Sequence, residues 1–140
     1  VITREEWAIS LLRWMAFPVT QRNLVALIAW IAAEGGPPSP QAKWNPLNTT
    51  QPWPGATTFN WVGVKNYATH ADGLNATAKT FQWTGHGYES IVERLKKSAR
   101  PRRTLAAVEA SSWGTGGLAK SIVDDVKRHY RSYADAPIGQ

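Results

Sequence analysis

The sequence predicts a mainly α domain with one small β excursion in its first half. Three observations carry this. Residues Leu24 to Ala33 are apolar nearly all round, the pattern of a helix buried at the centre of a fold rather than laid on its surface. Threonines with capping character, Thr3, Thr20 and Thr69, each precede a run of helical period. Between residues 37 and 68 that period vanishes, and Pro, Asn, Thr and Gly take over.

Thr3-Arg4-Glu5-Glu6 is a capping box, so a first helix starts there, with Trp7, Leu11, Trp14 and Met15 as its apolar stripe and Pro18 as its stop. Thr20 caps the second helix, which runs to Glu34. Gly35 and Gly36 stop it, with Pro37, Pro38 and Pro40 behind them. Thr57 to Tyr67 alternates loosely and is rich in β-branched and aromatic residues, which predicts a hairpin. Thr69-His70-Ala71-Asp72 is a second capping box, with Leu74, Thr77, Ala78 and Phe81 on one face of the helix behind it. Gly85 and Gly87 break the chain, and a helix using Ile91, Val92 and Leu95 starts near Glu89. Pro101 and its basic neighbours read as a connector, and Thr104 as the cap of a short helix through Ala110. After a Gly-rich turn from Ser111 to Gly117, a last helix places Leu118, Ile122, Val126, Tyr130 and Tyr133 on one face. The domain is expected to span residues 1–134, with 135–140 as a tail or linker.

Composition narrows the function classes. The 140 residues fit one domain able to bury a sizeable core, and 43% hydrophobic against 19% charged is a globular balance. No apolar run approaches the roughly 20 residues that span a bilayer. The N-terminus lacks a basic region followed by an apolar one, so no signal peptide is expected. The chain opens on Val rather than Met, which reads as a piece of a longer protein. Cysteine is absent, which removes disulfides, thiolate metal sites and Cys–His nucleophiles. The net charge is +6, and ten of the sixteen Lys and Arg lie between Arg94 and Arg131 against Glu109, Asp124 and Asp125. Such a field favours an anionic partner, whether nucleic acid, anionic lipid or the anionic bacterial cell wall, or else serves solubility alone. Eight tryptophans are many for this length. Trp44, Trp53, Trp61 and Trp113 lie in non-periodic sequence, where aromatics make stacking platforms for sugars or bases, or plug a small core.

Glu34 is the most informative residue. It continues the stripe of Leu27 and Ile31 at i, i+4, i+7, so its carboxyl faces the core side. It also ends a helix, where the macrodipole is negative. Desolvation and the dipole both favour the protonated acid. A carboxylic acid kept protonated near neutral pH is what glycosidic cleavage requires of its general acid. The structural alternative is an exposed frayed helix end or a C-cap contact.

The segments downstream of Glu34-Gly35-Gly36 weigh against the frayed end. Asn45-Pro46-Leu47-Asn48-Thr49-Thr50 comes next, then Gly55-Ala56, then Phe59-Asn60-Trp61-Val62-Gly63-Val64-Lys65-Asn66-Tyr67 and a capped helix. Ser112-Trp113-Gly114 stands near the end. In this order the segments, from about Leu24 to Gly117, resemble the lysozyme-like domains of bacteriophage and actinobacterial cell-wall hydrolases. The resemblance implies a lysozyme-like α+β fold in which the buried helix ends in the catalytic Glu and the hairpin lines a cleft. It implies a peptidoglycan glycosidase that cuts between N-acetylmuramic acid and N-acetylglucosamine, with Glu34 as general acid and base. Asn48, Thr49, Thr50, Tyr67 and Trp113 are then the expected substrate-binding residues. No second carboxylate occurs between Glu34 and Asp72. That leaves either a lytic-transglycosylase-type reaction, assisted by the substrate's own acetamido group, or hydrolysis by a water held by Asn or Thr.

Other residues carry less. Asp72 fits its capping box, Glu89 and Glu93 an exposed helix face, and Asp124 and Asp125 a surface helix. His70, His86 and His129 form no metal-binding spacing, so no metal and no cofactor is expected, although His86 lies in a Gly-flanked loop that could touch ligand. No phosphate-binding glycine loop and no Gly-x-Ser-x-Gly elbow is present. Two rivals stand beside the glycosidase: a non-catalytic cell-wall carbohydrate-binding module, which the loop tryptophans fit equally, and a helical nucleic-acid-binding domain, which Arg94 to Arg103 suggest but no recognition motif accompanies. The expected partner is bacterial peptidoglycan, without nucleic acid or membrane insertion. The expected state is a monomer with room for a tethered wall-binding domain. The expected place of action is the cell wall, reached by holin-type release from the cytoplasm or by virion delivery.

Overall fold

The computed structural model describes residues 1–36 and 39–140. Among them the chain forms seven helices and one two-stranded antiparallel sheet: α1 (Arg4–Trp14), α2 (Gln21–Glu34), β1 (Thr57–Thr58), β2 (Lys65–Asn66), α3 (His70–Thr80), α4 (Tyr88–Lys96), α5 (Pro101–Ala110), α6 (Gly116–Arg128) and α7 (Tyr130–Ala134). The fold is mainly α. Pro37 and Pro38, read as part of the stop behind Glu34, lie outside the described residues. No helix among the described residues is long and apolar enough to cross a membrane.

Local chemistry sets the helix starts. The Thr3 hydroxyl accepts the Glu6 N–H at 3.2 Å and the Glu6 carboxylate accepts the Thr3 N–H at 3.1 Å, a complete capping box for α1. Thr20 accepts the Asn23 N–H at 3.2 Å at the head of α2. At α3 Thr69 accepts the Asp72 N–H at 3.1 Å, but the Asp72 carboxylate takes the Trp53 indole N–H at 3.3 Å. The expected box is therefore half formed, its second arm spent on holding a tryptophan.

Helix α2 is the axis of the fold. Every residue from Asn23 to Ile31 is buried, and α1, α5, α6 and α7 pack around it. Full burial of a Leu or Ile side chain contributes about 1.5–3 kcal/mol, so Leu27, Ile28 and Ile31, all at or below 1% exposure, fix α2 firmly. Even its one buried amide is tied down. Asn23 Nδ2 donates to Pro18 O at 2.8 Å and to Leu95 O at 2.9 Å, stitching α2 to α4.

Several elements differ from expectation. Trp14 does not belong to the buried stripe of α1. It is 50% exposed, while Ala8 and Leu12 are buried beside Trp7 and Leu11. The hairpin strands shrink to residue pairs, Thr57 with Asn66 and Thr58 with Lys65, joined by a loop over 59–64. Helix α5 starts at Pro101, not at a Thr104 cap. Proline's fixed φ suits the first helical turn, and Thr104 is buried in the helix interior. On α6 the buried face is Ala119, Val123 and Val126, and Leu118 is 57% exposed. The helix also breaks at His129, so Tyr130 and Tyr133 belong to α7. Residues 135–140 are no tail. Arg4 N donates to Ala136 O at 2.9 Å, Ile138 N to Ile2 O at 3.1 Å and Trp44 N to Gly139 O at 2.9 Å, and the Ile138 side chain is buried in the core. The C-terminus thus closes the fold against α1 and the long loop.

Candidate active site

The C-terminal end of α2 opens onto the surface at Glu34. Gly35 ends the helix with φ of 127°, a backbone conformation that disfavours any residue with a Cβ. The loop beyond is pinned from within by Asn45. Its fully buried amide accepts the Thr49 N–H at 2.9 Å and donates to Thr49 O at 2.9 Å and Lys65 O at 2.7 Å. This bracket joins the loop to β2 and holds Asn48 against Glu34. Asn48 itself adopts φ of 57°, left-handed backbone that Asn tolerates better than most residues.

Three groups meet at the carboxyl. Thr115 Oγ1 donates to Glu34 Oε1 at 2.6 Å. Asn48 Nδ2 donates to Glu34 Oε2 at 3.2 Å and to the Glu34 carbonyl at 3.1 Å. The Trp30 indole N–H lies near without forming a hydrogen bond. Burial raises the Glu34 pKa, against the hydrogen bonds from Thr115 and Asn48, which favour the anion. Desolvation wins, and the helix terminus acts in the same direction.

Glu34 stands where two cavities meet. One, of about 570 Å³, is lined by Asn48, Thr50 and Val62 on one side and by Trp83, Tyr88 and Trp113 on the other. The second, of about 280 Å³, runs beneath Gln41, Pro46 and Phe59. Glu34, Asn48 and Asn60 line both, so the carboxyl divides a cleft into two arms. Among the described residues Glu34 is the one carboxylate in either arm. Among them, too, no group of His, Asp and Glu could hold a metal ion.

One wall is aromatic. His86 stacks on Tyr88 at 5.3 Å and 19°, and Trp83 leans on both. Trp113 meets Trp30 edge-on at 4.8 Å, and its indole N–H is anchored to Leu47 O at 2.8 Å. The opposite wall is the hairpin loop, where Asn60 Oδ1 holds the Val64 N–H at 3.0 Å.

The expected binding residues divide. Asn48, Thr50 and Trp113 line the cleft. Thr49 reaches its edge, but its hydroxyl is committed at 2.5 Å to that of Thr80 and is buried. Tyr67 lies outside the cleft: it is 2% exposed and donates to Gln51 O at 2.7 Å beneath the loop. Of the loop tryptophans, Trp44 stacks on His70 and Trp61 stands almost wholly exposed. Sequence reasoning missed Thr115, Asn60, Trp83 and Tyr88. The Gly-flanked His86 is in the cleft, its Nδ1 within 3.2 Å of Ser112 Oγ.

Thr115→Val tests the wiring of the carboxyl. The substitution removes a donor that favours the anion, so the Glu34 pKa rises further and the alkaline limb of the pH–activity profile moves to higher pH. An unmoved limb with unchanged turnover would show that Thr115 does not act on Glu34.

No family model matches the chain, and no curated protein or solved structure shows significant similarity to it.

Proposed function

We propose that the protein is a peptidoglycan-cleaving glycosidase with Glu34 as its general acid and base. One observation carries the reading: a desolvated carboxyl, with its pKa raised, at the junction of two arms of a cleft. A saccharide chain laid through both arms presents a glycosidic oxygen to a protonated acid. The aromatic wall offers faces for pyranose rings, and Asn48, Thr50 and Asn60 offer hydrogen bonds for hydroxyls and acetamido groups.

The reaction runs in two halves. Protonated Glu34 donates to the leaving oxygen between N-acetylmuramic acid and N-acetylglucosamine. With no second carboxylate among the described residues of the cleft, the neighbouring acetamido oxygen of the substrate meets the developing positive charge at the anomeric carbon. Glu34, now a carboxylate held by Thr115 and Asn48, takes a proton from the acceptor, water or the sugar's own primary hydroxyl. Mass spectrometry of purified peptidoglycan after digestion tests this. Reducing muropeptides or anhydro-muropeptides, which differ by one water, support the reading and identify the acceptor. Released peptides with intact glycan strands defeat it.

The basic surface fits the same substrate. Arg22, Arg100, Arg102 and Lys127 surround a cavity at the N-terminal end of α2, about 20 Å along the helix from Glu34 at its 1.5 Å rise per residue. Cations at that distance act by long-range attraction to an anionic wall, which salt screens over about 8 Å at physiological ionic strength. Wall binding of the intact protein is therefore expected to weaken as salt rises in a sedimentation assay. Salt-independent binding would assign the charge to solubility alone.

A further inference from the structure

A second aromatic groove lies on the α1–α3 side of the molecule, away from Glu34. It is a cavity of about 540 Å³ bordered by Trp14, Trp53, Asn75, Lys79, Gln82 and Lys96. Its two indoles are fixed by the same element. Trp14 Nε1 donates to Asn75 Oδ1 at 3.1 Å, and Trp53 Nε1 donates to Asp72 Oδ1 at 3.3 Å. Asp72 and Asn75 are three residues apart and so share one face of α3. Each ring is thus oriented through its edge, which leaves ring surface for a ligand. Trp14 ends α1 and is 50% exposed, a heavy exposure for an indole whose position the core does not require.

From these residues we infer that this groove is a second glycan-binding site, which takes an N-acetylated amino-sugar strand carrying carboxylates. The chemistry of the lining selects that class. Indole faces accept the C–H faces of pyranose rings, while Asn75 Nδ2 and the Gln82 amide supply hydrogen bonds for hydroxyl and acetamido groups. Lys79 and Lys96 add positive charge where a lactyl or peptide carboxylate on alternate sugars falls. The groove also extends toward the catalytic face. An adjoining cavity shares Phe81, Gln82, Val92 and Lys96 with it and reaches Trp83, which lines the main cleft. A strand can therefore be gripped on both sides of Trp83, keeping the protein on an insoluble polymer between cleavage events. The choice of ligand rests on the glycosidase reading; the groove itself does not.

The test compares wild type with Trp14→Ala, Trp14→Phe and Lys96→Ala. Thermal melts tracked by circular dichroism verify folding, which the exposure of Trp14 and Lys96 leaves intact. Sedimentation with purified insoluble peptidoglycan is expected to show about tenfold weaker binding for Trp14→Ala, roughly 1.4 kcal/mol. Trp14→Phe, which keeps a stacking face but loses the N–H that Asn75 holds, should restore part of it, and Lys96→Ala should also fall between Trp14→Ala and wild type. Cleavage of a short soluble N-acetylglucosamine–N-acetylmuramic acid oligomer, too short to span both sites, should be unchanged in all three. Wild-type wall binding by Trp14→Ala, in a protein that cleaves the short oligomer, overturns the second site and leaves the glycosidase standing. Weakened wall binding in a protein that cleaves no glycan keeps the groove and removes the glycosidase. A concentration-dependent dimer lost in Trp14→Ala, with wall binding intact, assigns the groove to a second copy of the chain and overturns the proposal.

Discussion

Glu34→Gln is expected to fold, to bind glycan and to lose turnover by about 10²–10⁴-fold, the usual contribution of general acid–base catalysis. Glutamine keeps the size of the side chain; with its oxygen toward Asn48 it still accepts from that amide, and its NH2 can donate to the Thr115 hydroxyl, but it cannot act as the general acid. The same substitution has a signature in stability. Glu34 has a higher pKa folded than unfolded because burial disfavours its charge. The folded state therefore binds more protons in the interval between those two values. Its contribution to stability is complete below the unfolded pKa and is lost as pH rises through the folded one. Glu34→Gln has no charge to desolvate, so it should melt above wild type at neutral pH, and the difference should vanish in acid. Activity and stability thus move in opposite directions from one residue, as expected where a charge is buried for chemistry rather than for folding. Peptidoglycan turnover and melting temperature across pH check both. A Gln variant with wild-type activity would falsify the role of Glu34, and one that melts below wild type at neutral pH would contradict its desolvation.

The range over which each interaction acts decides how legible it was in the sequence. The caps at Thr3, Thr20 and Thr69 bond residues only three positions away, so they are visible as spacing. The burial of α2 is visible because an all-round apolar run has few other places to go. Glu34 stood out as a carboxylate on that run's inner face. Thr115 was hidden because its bond to Glu34 crosses 81 positions, and nothing local distinguishes it from other threonines in Gly-rich turns. Tyr67 misled for a related reason. Its neighbours in sequence form the hairpin, but its hydroxyl found a buried backbone carbonyl at Gln51, a partner that only the path of the long loop supplies. The last six residues read as a tail because they lack period. They are held by backbone bonds to Ile2, Arg4 and Trp44, which periodicity does not register. On α6, Leu118 looked like core by type, yet the small Ala119 faces inward, on the face of Gly116, where a Cβ would meet the α5 backbone.

That close approach supplies the second large effect. Gly116→Ala is expected to destabilise the protein by at least ~3 kcal/mol, the upper end of the usual cost of overpacking, and to lower the melting midpoint by about 10 °C for a chain of this size. Gly116 opens α6 directly against α5. A Cβ there would stand 2.1 Å from Leu105 O and 2.3 Å from Glu109 N. Both are backbone atoms of α5, so neither swings aside as a side chain does, and relief requires one helix to move. Gly117→Ala is the matched control. Its Cβ would meet Glu109 Oε1 at 3.1 Å, the flexible end of an exposed side chain, so its cost should stay within about 1 kcal/mol, offset by the lower entropy of the unfolded chain. The consequence reaches the chemistry because Thr115, the residue before Gly116, donates to the Glu34 carboxyl at 2.6 Å. Any retreat of α6 from α5 pulls that donor away. At a temperature where Gly116→Ala remains folded, its pH–activity profile should therefore shift as that of Thr115→Val does, whereas Gly117→Ala should keep the wild-type profile. Equal melting temperatures for the two alanine variants would disprove the close α5–α6 approach. A destabilised Gly116→Ala with an unshifted profile would separate the packing of α6 from the setting of Glu34.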